Sequence, residues 1–154
     1  MSHDHEEIRA LIHAYADCID EGDLEGVADL FAHARIVAGN GQTFEGRDQL
    51  LELWRNSVIL HDGTTAVCHL ITNLSVLLDP DDPDRASASS YVTVMQALPG
   101  FPLQPIAVSR HRDRFERVDG AWRFAERRDR QVLMGDLRNH MVGAPDPAAI
   151  EGTT

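Results

Sequence analysis

Thiols are scarce in the 154-residue sequence: Cys18 and Cys68 lie far apart, with no CxxC pair and no Cys/His ligand spacing. Neither a disulfide framework nor a zinc site is indicated, and both cysteines read as reduced, buried side chains. Positive charge is also scarce, with 14 basic residues against 25 acidic ones and a net charge of −11. Such a surface repels polyanions, so nucleic acid is not an expected partner. Long hydrophobic runs are missing: nothing approaches the roughly 18 to 20 apolar residues of a membrane span. The opening MSHDHEEIRA has neither the basic flank nor the apolar stretch of a secretory signal, and a soluble, cytoplasmic protein is expected. No glycine-rich loop is present to cradle a phosphate, and no cofactor or metal is signalled. His3 and His5, two apart at a chain end, read as solvated rather than as metal ligands.

What is present suffices for one core. With 43% apolar residues the chain reads as a single domain over residues 1–142, followed by a flexible tail, 143–154, of sequence GAPDPAAIEGTT. Ile8, Leu11, Ile12, Tyr15, Ala16 and Ile19 recur at helical spacing and define a first helix. Glu21-Gly22-Asp23 breaks it, Asp23 caps a short second helix, and Leu24, Val27, Ala28 and Phe31 form that helix's stripe. A β-branched fragment, residues 35–38, turns through Gly39-Asn40-Gly41-Gln42 and returns over 43–45. Residues 47 to about 60 form a third helix, free of Pro and Gly.

Four long β-rich segments follow, at 65–78, 86–98, 106–118 and 121 to about 134, divided by DPDDPD, PGFP and Asp119-Gly120. They read as an antiparallel meander. Strands this long twist strongly, and bending them around three helices on one side gives an α+β cone.

Two residues stand out chemically. At 100° per residue Asp17 projects away from the stripe of the first helix, whereas Asp20 lies on its flank and is the better inward acid. Left alone, Asp20 is a solvated carboxylate at the unfavourable end of a helix dipole. His69 sits inside an apolar strand, sharing a face with Val67, Ile71 and Asn73. A buried imidazole needs a partner, which a carboxylate supplies while holding its tautomer, although a satisfied core histidine fits the same position.

The order of YADCIDEGDLEGVADLF, CHLITN and HRDRFERVDGAWRFAERR resembles the SnoaL-like branch of the NTF2-like superfamily, which includes scytalone dehydratase, over roughly residues 8–140. The shared landmarks are a Tyr five residues before an Asp, a His roughly fifty residues later, and the hairpin VDGAWRF. The resemblance implies a cone-shaped fold, a homo-oligomer (dimer or trimer) and a catalytic dyad of Asp20 and His69. It implies an oxygenated, mostly apolar ring substrate and proton abstraction beside an activating carbonyl, leading to elimination or isomerisation.

Tyr15 stands where the bile-acid 7α-dehydratases also carry a Tyr, which makes it a hydrogen-bond donor in the site, or else a core aromatic of the stripe. His111, sharing a strand face with Ser109 and Phe115, falls where scytalone dehydratase places a pocket residue. The second strand histidine of that enzyme has no counterpart around Met95 to Leu98. Trp54 and Met95 line a pocket or fill the core, and Arg127 either binds a substrate oxygen or joins a salt-bridged surface. The same cone also serves non-catalytic roles, among them small subunits of aromatic-ring dioxygenases, and that reading stays open.

Overall fold

The computed structural model describes residues 2–150. Helix α1 (His3–Glu21) buries Ile8, Ile12, Ala16 and Ile19 and ends at Gly22, whose φ of 77° is the left-handed conformation a residue without Cβ adopts freely. Asp23 then caps α2 (Leu24–Leu30) by accepting from the Gly26 N–H at 2.9 Å. Strands β1 (Arg35–Val37) and β2 (Thr43–Glu45) make a short hairpin, and α3 (Arg47–Ser57) follows. This helix stops earlier than its apolar pattern predicts, because Val58 is extended and bridges to Met141.

The sheet is completed by β3 (Val67–Leu78), β4 (Arg85–Leu98), β5 (Phe101–Val118) and β6 (Ala121–Met134), and a short helix, α4 (Pro147–Ile150), comes last. Strand order is β2-β1-β6-β5-β4-β3. The long strands form the expected antiparallel meander, but β1 lies parallel to β6, so the sheet is mixed. The sheet curves without closing, and the result is an α+β cone.

Two local twists of backbone set the inner face. Ala66 takes a φ of 52°, and β3 begins one residue later, at Val67. Asn73 also has a φ of 52°, at a register shift between Thr72 and Ser75. One extra residue exchanges the faces of a strand. The inward series Val67, His69, Ile71 therefore continues through Leu74, Val76 and Leu78, and Asn73 is exposed instead of sharing the His69 face.

The helices cover that inner face. Phe31, which caps the end of α2, stacks on Phe124 of β6 at 4.3 Å, with Phe115 of β5 beside it, and all three are essentially buried. Burial of each such ring stabilises by about 1.5–3 kcal/mol. A second cluster, including Val67, Val92, Val94, Ile106 and Leu137, fills the other end. In the predicted tail, Ala144 packs on this second cluster and Asp146 bridges to Arg138 at 3.0 Å; residues 151–154 lie outside the described residues. No helix among the described residues is long and apolar enough to cross a membrane.

Candidate functional site

Where the two clusters meet, the cone holds a half-open cavity of about 360 Å³ whose lining includes Ile19, Trp54 and Val58 from one side and Val92, Val94 and Leu137 from the other. That is the size of a pocket for one small molecule. Asp20, on the last turn of α1, stands behind His69, which lines the cavity. Thr65, fully buried, donates its hydroxyl to the carbonyls of Ile19 and Asp20 at 2.9 and 3.0 Å, which fastens the end of α1 beside the start of β3. Asp17, three residues earlier, is exposed, whereas Asp20 is half-buried.

The carboxylate of Asp20 holds His69 twice. The His69 backbone N–H donates to both carboxylate oxygens, at 3.0 and 3.2 Å, and ring Nδ1 lies 2.6 Å from Oδ1. An ionised carboxylate only accepts, so this bond places the ring proton on Nδ1 and leaves the Nε2 lone pair free. The His69 side chain is 6% exposed and lines the cavity, so Nε2 is the nitrogen left to face a ligand.

Around this pair stands a polar wall from β5 and β6. Arg127 is buried rather than at the surface: its Nε and Nη2 grip Asp113 at 2.7 and 2.8 Å, and both residues are only 2% exposed. The guanidinium carbon sits 4.2 Å from the centre of the Tyr15 ring, a cation–π contact that fixes the phenol over the cavity. Burial raises the Tyr15 pKa, with Arg127 opposing, so the phenol keeps its proton and remains a donor. Its ring packs edge-on against His69 at 5.9 Å and against His111 at 6.0 Å. His111 is 5% exposed, and burial first, then Arg127 and His69, push its pKa well below the usual value. It is therefore a neutral ring, with Asp129 3.6 Å from its Nε2, too far for a hydrogen bond. The pKa of Asp129 itself is raised, chiefly by burial.

Of the residues singled out from sequence, the fold brings Asp20, His69, Tyr15, His111, Trp54 and Arg127 to one cavity, all but Asp20 as part of its lining. Met95 lies apart from them. It pairs across β3 with exposed Cys68, while its neighbours Val92 and Val94 point inward. The cysteines are not buried thiols either: Cys18 is half-buried and Cys68, alternating with His69, is on the outer face.

Asp113, Asp129 and His140 were not anticipated. Counting by twos from His111 puts Asp113 on the same face, so the alternation in RHRDRFERV carried that signal. His140 lies in a stretch without periodicity, and nothing local marks it. It is 7% exposed, lines the cavity, and has its pKa lowered to about 4, mainly by burial and then by His69. Among the described residues no three His, Cys, Asp or Glu side chains converge as metal ligands do.

Comparison with known proteins gives a consistent picture. A family model described as SnoaL-like domain matches residues 1–128. No curated protein matches the sequence significantly. Among solved structures, an NTF2-like protein with a cystatin-like fold from Novosphingobium aromaticivorans is similar at 24% identity and a TM-score of 0.71, covering 98% of this chain and 89% of its own. A Mycobacterium tuberculosis protein of unknown function, solved as an Asp-to-Asn variant, is 26% identical over 97% of this chain and 85% of its own, with a TM-score of 0.70. A hexachlorocyclohexane dehydrochlorinase from Novosphingobium barchaimii aligns at 19% identity over 93% of each chain, with a TM-score of 0.66.

Proposed function

The chain belongs to the SnoaL-like domain family, and we propose that it is a small-molecule lyase or isomerase in which His69, held by Asp20, removes a proton next to an activating carbonyl of a mostly apolar ring substrate. The observation that carries this reading is the 2.6 Å bond from His69 Nδ1 to Asp20 on a ring that lines an internal cavity. That arrangement presents one lone pair, in a fixed direction, to whatever the cavity holds.

In this mechanism Nε2 takes the proton and Asp20 stabilises the imidazolium that forms. The electron pair moves into the carbonyl, whose oxygen accepts a hydrogen bond from Tyr15. The walls are mostly apolar, and donors placed in advance act strongly beside them, each contributing about 10²- to 10³-fold in comparable sites. The imidazolium then returns its proton, to a departing group in elimination or to another carbon in isomerisation. The dehydrochlorinase among the structural neighbours is named for an elimination, which agrees with the first outcome. An assembly module has no evident use for a carboxylate-held imidazole lining an internal cavity.

The test is a panel of cyclic β-hydroxy ketones and β,γ-unsaturated ketones, followed by the absorbance of the conjugated enone that both yield. His69→Ala is expected to lower turnover by at least about 10³-fold at unchanged circular dichroism and Tm. Retained turnover by the folded variant removes His69 from the chemistry.

A further inference from the structure

Beside the dyad sits a histidine that proton abstraction does not require. The ring of His140 lies 6.4 Å from that of His69, inclined by 67°. Among the described residues its Nδ1 is sealed from solvent without a hydrogen-bond partner. Such an unmet group costs about 1–3 kcal/mol, which a leucine filling the same space would avoid.

The backbone nevertheless fixes this side chain in place. The His140 N–H donates to Leu137 at 2.9 Å, its carbonyl accepts from Ile59 at 2.9 Å, and the Val142 N–H donates to Ser57 at 2.8 Å. The carbonyl of Asn139 accepts from the Gln96 side chain at 3.3 Å and lies 2.7 Å from His61 Nε2. The strand-free segment after β6 is thus laced across the end of α3 and holds its imidazole against the cavity.

We propose that His140 contacts the substrate directly through Nε2, the ring nitrogen that is not sealed, donating a hydrogen bond to a hydroxyl group β to the activating carbonyl, and that it thereby fits the site to β-hydroxy carbonyl compounds and to elimination. The proposal rests on the dyad reading above. Tyr15, beside Arg127 and His111, flanks the His69 ring at 5.9 Å, and His140, on the segment that carries Leu137 and Met141, flanks the same ring at 6.4 Å. The carbon facing His69 then has one oxygen toward Tyr15 and a second toward His140. In the reaction His69 Nε2 takes the proton from the carbon between the two functions, and the electron pair forms the enolate. The enolate collapses, the new carbon–carbon double bond forms and the carbon–oxygen bond breaks. The departing oxygen takes the proton from His69 and leaves as water. His140 keeps its own proton throughout, because burial and the charge on His69 hold it neutral.

Two probes give the same product. 3-Hydroxycyclohexanone loses water to form cyclohex-2-enone, and cyclohex-3-enone isomerises to it without any second oxygen. His140→Leu is expected to lower kcat/KM about 10- to 100-fold for the hydroxy ketone and less than about threefold for the enone. His140→Gln, which keeps a donor, restores part of the loss. Equal slowing of both probes, or unimpaired dehydration, overturns the assignment. If the wild-type protein turns over neither probe, the dyad reading fails, and His140 is judged by binding alone. In ¹⁵N-imidazole NMR titrations 3-hydroxycyclohexanone should then shift the His140 ring and bind more tightly than cyclohexanone. That preference should vanish in His140→Leu, and equal affinities in the wild-type protein overturn the proposal.

Discussion

Asp20→Asn is nearly isosteric, and its effect follows from where the two donors around the carboxylate point. Oδ1 receives the ring Nδ1 at 2.6 Å and shares the backbone N–H, while Oδ2 receives only that N–H, at 3.0 Å. An amide offers one acceptor and one donor group. If its oxygen takes the Oδ1 position, its NH₂ opposes the backbone N–H, a conflict worth about 1–3 kcal/mol. If its NH₂ takes that position, the backbone N–H keeps an acceptor, but the ring must present a lone pair at Nδ1 and carry its proton on Nε2. The second arrangement satisfies more groups and removes the base from the cavity.

The fold should therefore survive while the tautomer inverts. A comparable carboxylate-to-amide change in a histidine triad costs about 10⁴-fold in kcat, equivalent to roughly 5.5 kcal/mol at 1.36 kcal/mol per decade. We expect a loss of about 10³- to 10⁴-fold in turnover of cyclohex-3-enone or 3-hydroxycyclohexanone, with stability changed by no more than about 2 kcal/mol. Two-bond ¹H–¹⁵N correlation of the His69 ring reads the tautomer without any substrate. A folded variant that keeps the proton on Nδ1 and turns over within about fivefold of wild type refutes the reasoning.

The buried pair of Arg127 and Asp113 makes a stability prediction: Asp113→Ala leaves an uncompensated guanidinium and should cost about 3–5 kcal/mol by urea denaturation, whereas Arg127→Met with Asp113→Leu should recover most of it. A cost below about 1 kcal/mol for the single change contradicts the burial of that charge. Acid should also weaken the fold through His140. Its folded pKa of about 4 lies below the unfolded 6.5, so the unfolded chain binds the proton first. Stability is complete above pH 6.5, falls as pH falls toward about 4 and is flat below, with a contribution of about 3 kcal/mol. Urea midpoints at pH 7, 5.5 and 4 measure this, and His140→Leu should flatten its share of the slope; an unchanged slope refutes the assignment.

The cone was legible because its signals are local: helical spacing from Ile8 to Ile19, the left-handed stop at Gly22, and the Asp119-Gly120 turn, where both residues take positive φ. What the pattern misjudged was equally physical. The parallel pairing of β1 with β6 joins residues about ninety apart, a partnership no local period encodes. The bulge at Asn73 reverses the faces of β3 halfway along, so alternation counted from His69 fails four residues later. Arg127 reads as surface in a run of arginines, yet only Arg127 falls on the inner face opposite Asp113, its partner across the β5–β6 ladder. His140 is invisible for a different reason, since its position depends on contacts of Ile59 and Ser57 with a segment some eighty residues on.

These placements bear on how the cavity manages charge. Arg127 and Asp113 close on each other through two hydrogen bonds, so Asp113 offsets part of the guanidinium charge, while Arg127 still acts on the Tyr15 and His111 rings beside it. His111 and His140 are both held neutral by burial. In the proposed reaction the dyad itself changes charge, passing from carboxylate and neutral imidazole to an ion pair as the substrate becomes an enolate. The total charge in the cavity is the same before and after proton transfer, and only its position moves, by the length of one proton jump. In the proposed reaction, stabilisation of the enolate then comes chiefly from the directional donor at its oxygen, Tyr15. In an interior of low dielectric this arrangement avoids binding the substrate carbonyl tightly before the proton moves, which is the condition for the same contacts to favour the transition state over the ground state.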